Sequence, residues 1–183
     1  MIDLIKPYEP HWKTEFEKIK TVLESALQNI DVDIQHVGST AIPGLPAKPI
    51  LDIDIIIGDK KALDEVSSRL EKLGYINKGE QGIAGRFAFR QGSEFIPANW
   101  PAHHLYVCFS DSLALKNHIL FRDALWQDQK LVEKYSSLKM ALVNEKGMTR
   151  EEYQKRKTEF IISVLKDLGL ETDELNQITN ENV

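Results

Sequence analysis

Hydrophobic positions recur at two periods along this chain, and the switches between them outline its elements. Trp12, Phe16, Ile19, Leu23 and Leu27 are three or four residues apart, the spacing that lines side chains along one helix face. With Pro10 suited to the first helical position, they predict a helix over 10–28. The period then falls to two. Val32, Ile34 and His36 share one face of a strand over 32–37, and Leu51, Ile53, Ile55 and Ile57 share one face of a strand over 50–57. Shorter strands are expected at 2–5, 75–76, 86–90 and 103–109. Between them a helix over 60–73 is started by Asp59 and closed by Gly74.

Helical spacing takes over after residue 110. Helices are expected over 113–126, 129–146 and 150–168. Their caps are Asp111 or Ser112, then Asp128, then the capping box Thr149-x-x-Glu152. The stretch 170–183 is polar and reads as a mobile tail. The expectation is one mixed α/β (α+β) domain over 1–169. A sheet of roughly four to six strands lies in the first part, with packed helices at its C-terminal end.

The strand over 50–57 carries the chemistry. Its second face holds Asp52 and Asp54 between isoleucines. Carboxylates two apart on a strand have Cα atoms roughly 6.5 Å apart. Two such charges in apolar surroundings repel and are poorly solvated. A divalent cation can bridge them, a basic residue can pair with them, or they can sit at a strand end in water. Upstream, the strand over 32–37 ends in Gly38-Ser39, and 38–49 contains Pro43, Gly44, Pro46 and Pro49. That stretch cannot be one helix, so it wraps as a loop over the strand ends. A Gly-Ser turn leaving a strand can aim backbone N–H groups at an anion, and a helix start would add its dipole. An anion cradle beside a cation site is what phosphoryl or nucleotidyl transfer requires.

The pattern hydrophobic-Gly-Ser, twelve residues, then Asp-hydrophobic-Asp resembles the signature of the nucleotidyltransferase superfamily. The longer string HVGSTAIPGLPAKPILDIDI resembles the GrpB family of predicted nucleotidyltransferases. HHLYV at 103–107, LFRDAL at 120–125, YSSLKMAL at 135–142 and YQKRKTEFI at 153–161 extend the resemblance over nearly the whole chain. It implies a nucleotidyltransferase-like mixed sheet with C-terminal helices. It also implies Asp52 and Asp54 as catalytic ligands of Mg²⁺ or Mn²⁺, and a phosphate site at Gly38, Ser39 and Thr40. Lys48, Arg86 and His104 are the candidate charge-neutralising side chains. The family often shows His-x-x-His-Val where this chain has His103 and Tyr106. The superfamily's third carboxylate has no counterpart in the strands over 86–90 and 103–109. Glu94 and Asp111 lie outside those strands.

Charge and composition narrow the partners. The 183 residues carry a formal charge of −5, and no basic run offers a track for long nucleic acid. A nucleotide and a small-molecule acceptor are the expected partners. The single cysteine, Cys108, excludes an internal disulfide and a cysteine-rich zinc site. No signal-peptide pattern or membrane-length apolar run is visible, so a cytoplasmic protein without a membrane partner is expected. Three functions fit: a metal-dependent nucleotidyltransferase, a degenerate nucleotide- or phospho-ligand-binding module, and a metal-dependent phosphate hydrolase. The enzyme reading needs both aspartates facing an open cleft with Ser39 at its rim. It fails if each aspartate is tied to a basic side chain in a closed interior. Lys139 and Lys157 read as solvated.

Overall fold

The computed structural model describes residues 5–93 and 100–181. Five strands form one mixed sheet: β1 (Asp33–Val37), β2 (Leu51–Ile57), β3 (Tyr75–Asn77), β4 (Arg86–Gln91) and β5 (His103–Phe109). Their spatial order is β1-β2-β5-β4-β3. The central pair, β2 and β5, is parallel, and the other three pairs are antiparallel. The expected strand over 2–5 and part of the 91–102 loop, including Glu94, fall outside the described residues. Lys6 forms one isolated bridge with Ala47.

The alternation in β2 sorts the sheet into a core face and a chemical face. Leu51, Ile53, Ile55 and Ile57 are buried with Leu105 and Val107 of β5 against two helices. These are α1 (His11–Ala26), which contributes Trp12, Phe16, Ile19 and Leu23, and α2 (Lys60–Lys72), which contributes Leu63, Val66 and Leu70. Each fully buried aliphatic side chain contributes about 1.5–3 kcal/mol, so this layer anchors β2. The Asp59 carboxylate caps α2 by accepting from the Ala62 N–H at 2.8 Å.

The opposite face meets the C-terminal helices α3 (Leu113–Gln127), α4 (Gln129–Asn144) and α5 (Arg150–Asp167). Ser112, Asp128 and Thr149 cap them through their side chains, so the second of the two candidate caps for α3 is the one used. A separate cluster, Ile42, Leu45, Leu125, Val132 and Tyr135, pins the loop after β1 to α3 and α4. This cluster sets the position of the Gly-Ser turn. Leu168, at the end of the α5 stripe, is exposed.

The expected mobile tail is instead a sixth helix, α6 (Thr172–Glu181). Leu175 and Ile178 are buried with Leu165 and Leu170, and Glu174 accepts from the Lys116 ammonium at 2.6 Å. Two apolar residues three apart suffice to dock a polar helix whose other positions face water. Ile178→Ala is expected to lower the unfolding free energy by roughly 2–4 kcal/mol, read by urea denaturation. A neutral result would mean that α6 is not part of the folded unit.

Candidate functional site

Asp52 and Asp54 stand on the chemical face, opposite His104 and Tyr106 in the parallel register of β2 and β5. Both aspartates are hydrogen-bonded to histidines. Asp52 Oδ1 accepts from His104 Nδ1 at 2.9 Å, and Asp54 Oδ2 accepts from His118 Nδ1 of α3 at 2.7 Å. Their surroundings differ. The Asp52 side chain is 33% exposed and lines an open cleft, whereas that of Asp54 is 0% exposed. The closed-interior condition is therefore met by Asp54 and not by Asp52.

The turn after β1 brings the anion cradle onto this face. Gly38 has φ 70° and ψ −171°, a region open essentially to glycine alone. A Cβ on Gly38 would lie 2.3 Å from Asp52 Oδ2. The turn and the carboxylate are thus in contact only because position 38 lacks a side chain. Ser39, Thr40 and Ala41 then form a single 3-10 turn, too short to supply the helix dipole that the sequence suggested. Ser39 and Thr40 both line the cleft. The Thr40 hydroxyl, however, is engaged with His36 Nε2 at 3.0 Å. His36 stacks on Phe16 at 4.6 Å, on the core side of β1. Burial holds its imidazole down at about 4, so it is a neutral packing group.

Two lysines read as solvated are instead part of this site. Lys139 of α4 is buried, donating to Ser39 Oγ at 2.9 Å and to the Pro46 carbonyl. Burial, with the nearby Lys157 charge, pushes its ammonium down to about 7, while Asp52 opposes the shift. Lys157 of α5 also lines the cleft and is likewise lowered by burial. Lys48, Arg86, His104, Arg150 and Lys155 complete its cationic lining, and Glu151, Glu152 and Glu181 add carboxylates to the same cleft. The Arg86 guanidinium lies 4.4 Å from the Tyr106 ring centroid, and its buried Nε has no hydrogen-bond partner among the described residues. The hydrogen bond to Asp52 raises the basicity of His104. For His118 burial acts in the opposite direction, but Asp54 outweighs it and the net shift is upward. His103 points away, accepting from the Tyr75 hydroxyl at 2.6 Å while its Nδ1 donates to the Pro101 carbonyl. Arg90 is exposed at the far end of β4.

The cleft is about 1070 Å³. Its donor set fits a hard divalent cation that arrives with phosphates. Asp54 Oδ1 is buried with no hydrogen-bond partner among the described residues. Mg²⁺ is commonly held by one or two carboxylates, with phosphate oxygens and waters supplying the rest. No group of three His, Cys, Asp or Glu side chains able to hold a metal occurs among the described residues, so those residues offer no all-protein cage.

The mixed sheet, with its Gly-Ser turn laid against an Asp-x-Asp strand, is a nucleotidyltransferase-like fold. The Cid1 poly(U) polymerase superimposes with a TM-score of 0.56 at 13% identity, over 86% of this chain and 50% of that one. Within that fold class the chain belongs to the GrpB family, whose model matches residues 4–167. The crystal structure of GrpB from Enterococcus faecalis gives a TM-score of 0.73 at 26% identity, over 90% of this chain and 99% of that one. The glutamate-rich protein GrpB of Alkalihalophilus pseudofirmus is 29% identical over 90% of this chain and 95% of its own length. Protein YqkA of Bacillus subtilis is 32% identical over 84% of this chain, which spans 43% of YqkA. Among the described residues no helix is long and apolar enough to cross a membrane.

The contact between the turn and the carboxylate yields a direct test. Gly38→Ala is expected to cost roughly 1–3 kcal/mol of stability from backbone strain alone, measured by chemical denaturation. It should also displace Asp52 from His104, visible as a lowered His104 pKa in an NMR titration. An unchanged His104 titration would refute the close approach.

Proposed function

We propose that the cleft binds a nucleoside triphosphate and transfers its nucleoside monophosphate to a small-molecule hydroxyl acceptor. The observation that carries this reading is the juxtaposition of Gly38-Ser39, Lys139 and Asp52 at one cleft wall. A polar turn with a buried ammonium bonded to its serine directly abuts an accessible carboxylate. The fold neighbours support it. The Cid1 structures include nucleotide-bound forms of a poly(U) polymerase, a description of that protein. For this chain a small acceptor fits better than RNA, because a charge of −5 gives a polyanion no long-range attraction.

In this reading the amides and hydroxyl at Gly38-Ser39 hold phosphate oxygens. Lys139, Lys157, Lys48 and Arg86 balance charge on the polyphosphate. Asp52 and Asp54 hold Mg²⁺ or Mn²⁺, which when bound neutralises phosphate charge and orients the α-phosphorus. The acceptor oxygen attacks that phosphorus as the bond to the bridging oxygen breaks and pyrophosphate leaves. The acceptor's proton passes to water in the open cleft, since Asp52 and Asp54 are occupied as metal ligands. The contribution of these groups is positioning and electrostatics. A second reading, a phospho-ligand-binding module without turnover, is favoured by one specific observation. Asp54 is closed off against His118, and β4 and β5 supply no third carboxylate.

Calorimetric titration with ATP, GTP, CTP and UTP, each with and without Mg²⁺, tests both. Metal-dependent binding of one nucleotide is expected, weakened at least about tenfold in Asp52→Ala. With an acceptor found by pyrophosphate release, turnover should fall roughly 100-fold or more in that variant. Binding without any turnover would select the module reading, and no binding to any nucleotide would sink the transferase reading and leave a module for another phospho-ligand.

Lys139 adds a pH signature. A bound polyphosphate stabilises its ammonium form, so the complex holds more protons than the free protein above pH 7. Affinity should therefore fall as pH rises from about 7, with proton uptake on binding near pH 8. Lys139→Met should flatten both. Measuring binding heats at pH 8 in buffers of different ionisation enthalpy reports the uptake, and zero uptake would refute the role of Lys139.

A further inference from the structure

A second cavity, about 490 Å³, opens on the β1 edge between α1 and the junction of α3 and α4. Thr40 is the one residue that it shares with the cleft. Its volume lies in the range that accepts small organic ligands, and the transfer mechanism uses none of its side chains.

The walls favour one kind of ligand. Trp126 is 51% exposed, yet it is fixed in place. Its indole N–H donates to the Ala41 carbonyl at 2.9 Å, and the Arg122 guanidinium lies 4.3 Å from its ring centroid. A large aromatic surface held in position but left half open loses little freedom when a ring stacks on it. Phe16 also borders the cavity but is buried, stacked on the His36 ring with Lys20 Nζ 6.0 Å from its centroid, so it adds apolar lining and not an open face. Arg122 is committed: it donates to Asp123, to the Gln35 side chain and to the His36 carbonyl. Accessible positive charge comes instead from Lys13 and Lys20, one α1 face, with Glu17 between them. Lys20 also stands 3.9 Å from Glu24, an exposed pair of little strength. Counting Arg122, the lining holds three cations and one anion.

We propose that this cavity is a second ligand site, taking a flat aromatic ring that bears an acidic group. The ring stacks on the exposed Trp126 indole, and the acid faces Lys13 and Lys20. Because the Ala41 carbonyl fixes Trp126 and Thr40 borders both cavities, the site adjoins the Ser39–Ala41 turn from behind. The assignment does not rest on the transferase reading.

The test uses naphthoate as probe, with uncharged naphthamide and non-aromatic cyclohexanecarboxylate as comparators, added to the isotope-labelled full chain. The indole N–H signals are followed by NMR, that of Trp126 being identified by its loss in Trp126→Phe. Naphthoate is expected to shift the Trp126 signal saturably, and both comparators should bind at least about tenfold more weakly. The surface double variant Lys13→Glu/Lys20→Glu, checked for an unchanged melting temperature, should weaken naphthoate by about tenfold. Asp52→Asn should leave naphthoate affinity unchanged, which separates this site from the cleft. Three outcomes overturn the proposal: no saturable shift, equal affinity in the double variant, or loss of binding in Asp52→Asn.

Discussion

A carboxylate with no solvent exposure sits in the middle of β2, and the C-terminal half of the molecule is arranged to satisfy it. Leaving Asp54 ionised and alone would cost several kcal/mol. Its partner, His118, comes from α3, so the pair fixes α3 against the chemical face of the sheet. Arg122, one turn further along, reaches Gln35 and the His36 carbonyl on β1, and Trp126 reaches the Ala41 carbonyl. Three polar side chains of one helix thus tie it to β2, to β1 and to the turn between them. With α3 placed, α4 follows through the Leu125, Val132 and Tyr135 cluster, and Lys139 arrives at Ser39. The turn can then approach Asp52 because Gly38 has no Cβ to obstruct it.

Much of this was legible in the chain, and what was missed shares one cause. Period-two alternation placed β2 and the faces of Asp52 and Asp54 correctly. Helix limits agreed to within two residues, because caps such as Asp59, Ser112 and Thr149 act locally. The docking of α6 was missed because two apolar residues in a polar stretch look like a tail. Lys139 and Lys157 were read as solvated because they are polar, and His118 was passed over, although each stands on its helix's inward stripe. Leu115, His118, Arg122 and Leu125 are spaced by three and four residues, as are Tyr135, Lys139 and Leu142, and Tyr153 and Lys157. A charged residue in phase with a buried stripe is expensive. That phase, and not residue type, was the available signal.

Thr40 shows the limit of carrying a motif over by position. It follows Gly-Ser and lines the cleft, yet its hydroxyl is used by His36. Its role is to close the wall between two cavities. Gly38 abuts Asp52 and Ser39 Oγ accepts from Lys139, while the third hydroxyl is turned to His36. Local spacing cannot reveal this, because the partner, His36, belongs to the opposite face of the preceding strand.

The most informative departure is at the β5 positions opposite the aspartates, where a third carboxylate would be expected. His104 faces Asp52 and Tyr106 faces Asp54. A third carboxylate would add negative charge and demand more cation. Here the cleft is lined by Lys48, Arg86, Lys139, Arg150, Lys155 and Lys157 against Asp52, Glu151, Glu152 and Glu181, so six lysines and arginines face four carboxylates before any ion binds. On the proposed reading such a cleft attracts a polyphosphate by its own side chains, and phosphate binding depends less than turnover does on Asp54, which is closed off against His118.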